Sequence, residues 1–121
     1  MAESRRAFQE AIRPPADTSA PMEYDNQSIQ EAMNLKNALD KFKKDNDPKF
    51  YAIIRIGNYM ETISYMMKSK ADKKLLRDLM QGPVLYYFIR FKPWVDQYRK
   101  ESPELFRWFE KLFHFCESEP R

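Results

Sequence analysis

Arg55, Asn58 and Glu61 stand at intervals of three in a stretch that is otherwise largely apolar, so a helix carries all three in one row. Two roles are open to Glu61 in such a row. It can act as a buried general acid or base. Alternatively it can pair with Arg55, or with Lys92 or Arg99 from a later helix, and pin the packing. No second carboxylate, nucleophile or histidine is spaced to complete a reaction with it, which favours the structural role. His114 is the single histidine and Cys116 the single cysteine. Together they offer two metal ligands, too few without a second chain, and an imidazole near a helix C-terminus has a structural use of its own. Two isolated glycines, Gly57 and Gly82, cannot build a phosphate loop or a dinucleotide fingerprint, and one histidine cannot build a zincin helix. The chain is therefore expected to be no enzyme and to carry no metal and no cofactor.

Binding chemistry is better represented. Lys68, Lys70, Lys73, Lys74 and Arg77 form the densest basic cluster and could meet phosphates, although Asp72 and Asp78 dilute it. The last third of the chain is rich in rings. Tyr86, Tyr87 and Phe88 point in three directions around a helix, so at least one ring is expected at the surface. Tyr86, Tyr87, Trp94, Tyr98 and Trp108 are the candidate anchors of a protein interface.

These residues need helices to position them. With only two glycines in 121 residues and no Asn-Gly or Asp-Gly turn, hairpins are not served, and helix formers dominate. The expected fold is all-α: a compact bundle of about five helices over residues 26–121, preceded by a flexible, proline-containing arm over residues 1–25. Within the arm, Ala7, Phe8, Ala11 and Ile12 share one helical face, but so short a helix is marginal unless a partner orders it. Ser28 and Glu31 have capping-box spacing and predict the first main helix there, and Asp47-Pro48 predicts the second, central helix. That helix has two apolar faces, one of Phe50, Ile54, Gly57 and Met67, the other of Ala52, Ile56, Tyr59, Ile63 and Met66, as if packed on both sides. A short third helix ends at Gln81-Gly82-Pro83, a fourth is kinked near Ile89–Lys92 by Pro93, and Ser102-Pro103 starts a fifth.

Composition sets the outer limits. Hydrophobic residues make up 43% of the chain and aromatic residues 15%, enough apolar surface for a folded core. Twenty-one cationic residues against 18 anionic ones give a net charge of +3, which permits an acidic partner without demanding one. One cysteine and no apolar run of spanning length or leader character predict a cytoplasmic protein with no membrane association.

Asn58-Tyr59-Met60-Glu61, Tyr87 with Lys92-Pro93-Trp94-Val95, Arg99, Leu105-Phe106 and Phe109-Glu110-Lys111-Leu112 follow one another in an order that resembles a bacterial and phage family, the domain of unknown function DUF4760. The resemblance spans about Ala38 to Phe113. It implies a helical fold and no defined activity. Many members carry an N-terminal membrane helix, where this chain has a polar, proline-containing arm instead.

The function expected from these features is a non-enzymatic protein–protein interaction module, its own copy being one candidate partner. Two alternatives remain beside it. One is a phage-encoded inhibitor of a host nucleic-acid-guided defence complex, of the anti-CRISPR kind. The other is a nucleic-acid-binding accessory protein using Lys68 to Arg77.

Overall fold

Five amphipathic segments of the chain become five helices: α1 (Ala2–Ile12), α2 (Tyr24–Lys44), α3 (Lys49–Met66), α4 (Lys70–Tyr98) and α5 (Arg107–Ser118). The structure is a computed structural model and describes residues 2–13 and 24–118. The fold is all-α, as expected. α4 packs on α2 along one flank and on α5 along another, α1 lies across α2 and α3, and α3 closes against α5. Phe8, Leu35, Leu39, Ile53, Ile56, Val84, Phe88, Phe91, Val95 and Phe109 are wholly enclosed, so every helix contributes to one core. Burying each such side chain is worth about 1.5–3 kcal/mol.

The first correction concerns the N-terminal arm. Its residues 2–12 are a packed helix: Ser4, Ala7, Phe8 and Ile12 are buried, and the Phe8 ring sits 4.9 Å from Tyr87 and 5.6 Å from Phe91. The apolar stripe was legible, and the partner that orders it is the rest of the same chain. The proline-containing stretch at residues 14–23 lies outside the described residues.

Helix boundaries differ from expectation where long-range packing overrides local spacing. α2 begins at Tyr24, so Ser28 and Glu31 lie inside the helix and face Arg90 instead of capping. At its other end Asn46 adopts a left-handed φ of 55°, while the Asp47 amide bonds the Phe42 carbonyl and the Asn46 amide bonds that of Lys43. This is the Schellman closure. Asp47 Oδ1 then accepts from the Lys49 amide at 2.9 Å and opens α3, as Asp47-Pro48 predicted.

The expected third and fourth helices are the two halves of α4, joined across a kink at Met80 where the division was expected, and α4 opens at Ser69, whose hydroxyl accepts from the Asp72 amide. Its one non-helical residue is Met80, with φ −134° and ψ 16°, three before Pro83. A kinked Met80 relieves the clash that Pro83 imposes on the preceding turn. No residue around Ile89–Lys92 departs from helical dihedrals, so Pro93 does not break the element there. Ser102-Pro103 opens only a turn, in which the Leu105 amide bonds the Ser102 carbonyl. Phe106, at a φ of 53°, ends that turn, and α5 starts after it.

Candidate functional site

A helix that starts behind Phe106 has no side-chain cap of its own, because a phenyl ring cannot accept a hydrogen bond. α3 supplies the cap. Glu61 Oε1 accepts from the Phe109 amide at 2.7 Å, in the first turn of α5, where a carboxylate also suits the positive helix end. Burial pushes the Glu61 carboxyl above its ordinary value, against the opposing pull of the Phe109 and Trp108 amides and of the Arg99 charge. Arg99 lies beside this joint, donating to the Leu105 carbonyl and, at 3.0 Å, to Glu110 Oε1. Glu61, Arg99 and Glu110 thus lock α3, α4 and α5 at one corner. The expected row of Arg55, Asn58 and Glu61 does not act as a unit: Arg55 and Asn58 are exposed, and Glu61 turns to α5 amides rather than to Arg55 or Lys92.

A second polar joint escaped the sequence reading. Arg90 is buried on α4, donates from Nε to Glu31 Oε2 at 2.8 Å and from Nη1 to the Tyr86 carbonyl, and lays its guanidinium 3.7 Å from the Tyr86 ring centre. Tyr86 in turn accepts from the Gln9 side chain of α1 at 3.1 Å. Three helices therefore meet around one guanidinium. The Glu31–Arg90 separation of 59 residues puts this pairing beyond any local spacing rule.

The five candidate interface aromatics do not form one surface. Tyr86 and Tyr87 are half-buried against Phe8, and Trp94 is buried and stacked on Tyr98 at 5.1 Å. Trp108 belongs to a third group, edge-on to Tyr65 at 5.5 Å. The basic cluster is likewise divided. Arg77 is buried, with its guanidinium over the Phe115 ring, and Lys73 is half-buried, leaving Lys68, Lys70 and Lys74 exposed. Lys68 lies 4.4 Å from the Tyr65 ring centre and 5.3 Å from that of Trp108, which Lys111 approaches at 4.2 Å from α5.

One surface was missed because two of its residues, Tyr59 and Met66, were assigned to a buried face. The second apolar face expected of α3 has no helix over it along part of its width. Tyr51, Tyr59, Tyr65 and Met66 are 62%, 49%, 52% and 71% exposed, and Arg55, Asn58 and Thr62 complete the same side of the helix. The only carboxylate between Pro48 and Ala71 is Glu61, already engaged with α5. A solvent-facing helix in a chain with 32% charged residues is normally laced with acid–base pairs, as α4 is by Lys92–Asp96 and α2 by Lys36–Asp40. The outer face of α3 instead carries tyrosine, methionine and arginine, the residue types enriched at the buried centres of interfaces.

Two concavities carry less. One, of about 910 Å³, lies between the ends of α2 and α4 and is lined by Lys36, Asp40, Lys43, Lys44, Tyr98 and Lys100 among others. It gathers lysines, yet both helices direct their C-terminal, negative ends towards it, so these cations complement the helix ends before any ligand. Lys43 is further committed to the Tyr98 hydroxyl at 2.7 Å. A smaller groove of about 290 Å³ between α2 and α4 is apolar, with Ile29, Met33 and Ile89 on its walls. Among the described residues no group of three or more His, Cys, Asp or Glu is placed to hold a metal ion, and no helix is long and apolar enough to cross a membrane.

No curated protein and no solved structure matches the chain. A family model does, over residues 2–114, a span that takes in α1 as well as the corner built by Glu61, Arg99 and Glu110. The region read from sequence as an arm is thus part of the family's own unit, and the chain belongs to the domain of unknown function DUF4760.

Proposed function

We propose that this chain is a non-enzymatic protein–protein interaction module that docks through the outer face of α3. The observation that supports it is the exposure of Tyr51, Tyr59, Tyr65 and Met66 on a helix side without a free carboxylate. Polar groups with chemical potential elsewhere are occupied in holding helices together: Glu61 by α5, Arg90 by Glu31, Arg99 by Glu110. A phage-encoded inhibitor of a host nucleic-acid-guided complex is one instance of the same reading, with that complex as the partner.

The test places a photo-crosslinking amino acid at Tyr59 or, as a control on α2, at the exposed Asn37. Irradiation in the producing cell should give a discrete adduct from position 59 and none from position 37. Light scattering over a concentration series reports whether the partner is a second copy. Equal adducts from both positions, or none from either, would sink the α3 assignment.

A second reading, nucleic-acid binding, gains support from one feature: Tyr65 and Trp108 stand beside Lys68 and Lys111, giving the basic cluster the aromatic company that sequence spacing did not reveal. Binding to labelled duplex and single strands across a salt series tests it.

A further inference from the structure

Resting on the α3 docking reading, we infer that the partner is an acidic protein segment that sets apolar side chains on Tyr59 and Met66 and carboxylates on Arg55, Lys68 and Lys111. The charge pattern of this side of the molecule carries the inference. Some exposed cations have acids beside them, Lys36 with Asp40, Lys92 with Asp96 and Arg107 with Glu104, whereas α3 offers no free carboxylate from Pro48 to Ala71. Among the described residues Arg55, Lys68 and Lys111 form no ion pair; the one carboxylate of α3, Glu61, is half-buried and spent on the Phe109 amide, and Glu110 beside Lys111 is taken by Arg99. Lys68 and Lys111 both approach the Trp108 ring, at 5.3 and 4.2 Å from its centre, bringing like charges together where their field adds. An unneutralised positive side with an apolar centre is complementary to a negative surface with apolar projections.

Nucleic acid fits this pattern less well than an acidic protein. The face of α3 from Tyr51 to Met66 rises about 1.5 Å per residue, so it extends for roughly 22 Å. A duplex carries one charge per about 1.7 Å of axis. Arg55, Lys68 and Lys111 are sparse against such a density.

The experiment selects a displayed random-peptide library on the intact protein, with counter-selection against the Tyr59→Asp, Met66→Asp double variant. Both side chains are exposed, so that variant keeps the fold, which circular dichroism verifies. Enriched peptides should be net acidic with regularly spaced aromatic or aliphatic residues. Their affinity should fall with added salt and drop about tenfold or more in the Arg55→Glu, Lys68→Glu variant. Enrichment of neutral or basic peptides that still need Tyr59 and Met66 overturns the acidic partner and leaves the docking face standing. Failure to recover any peptide that distinguishes the double variant overturns the docking face as well. Tight binding of a labelled oligothymidylate strand, lost in the Arg55→Glu, Lys68→Glu variant, overturns the protein partner in favour of single-stranded nucleic acid.

Discussion

The tip of the Phe106 ring abuts Gly57, so that a Cβ at position 57 would clash with Cζ and Cε2 of that ring. Gly57 is buried in the middle of α3, and Phe106, in its left-handed conformation, ends the turn that launches α5. The missing side chain of one residue is therefore the seat of the other. A glycine inside a helix is costly by about 1 kcal/mol relative to alanine, which makes this contact the reason to keep it.

Gly57→Ala is expected to destabilise the protein although it favours the isolated helix. Overpacking against Phe106 costs about 1–3 kcal/mol, and the backbone at Phe106 has little freedom to retreat from its left-handed φ. Urea denaturation should show a lower midpoint with an unchanged slope. A higher midpoint would mean that the ring moves aside freely.

Removing Glu61 leaves the first-turn amides of α5 without their acceptor. Glu61→Ala is expected to lose about 1–2 kcal/mol, the usual range for a lost helix cap. Glu61→Gln retains an acceptor oxygen and should lose less. The comparison also has a pH signature. Burial raises the folded-state pKa of Glu61 above its ordinary 4.5, so the folded protein holds the proton more tightly than the unfolded chain does. The stabilisation from this group is present below the unfolded value and is lost as pH rises through the folded one. Melting temperatures of the wild type relative to Glu61→Gln should therefore decline on going from acid towards neutral pH; a relative rise contradicts the assignment.

At the Glu31–Arg90 joint the two side chains are about as deeply buried as each other, at 12% and 10% exposure. Glu31→Ala alone should cost about 3–5 kcal/mol, because it strands a buried guanidinium. The double change Glu31→Leu, Arg90→Met should recover much of that loss. A double-mutant cycle that finds the two effects additive would show that the pair is not coupled.

Phe8→Ala distinguishes a packed first helix from a loose arm. As a core residue touching rings of α4, its removal should cost about 3–5 kcal/mol. A change within the range of an exposed substitution, about 0.5 kcal/mol, would return residues 2–12 to the status of a tether.

Much of the fold is legible in periodicity. The apolar stripes that define α2 through α5, the Asp47-Pro48 start and the absence of hairpin chemistry all lead to an all-helical core. What is not legible depends on residues remote in sequence. The spacing of Ser28 and Glu31 suits a cap, and only the arrival of Arg90 turns both side chains inward. Glu61 was singled out as a packing residue, but its target is a pair of backbone amides, which have no signature in side-chain spacing. The α3 face was misassigned for a related reason: apolar periodicity reports which residues avoid water, and it does not say whether the cover comes from the same chain. Tyr59 and Met66 fit the buried pattern and are exposed.

The first helix also sets the order in which the bundle can be completed. α1 finishes its packing only on α4, through Phe8 with Tyr86, Tyr87 and Phe91, and through a Gln9–Tyr86 bond that spans 77 residues. The loop-closure entropy of that span must be met before the contact returns any stability. During synthesis α1 is made well before α4, so Phe8 and Gln9 lack these partners until the chain has been extended through Phe91.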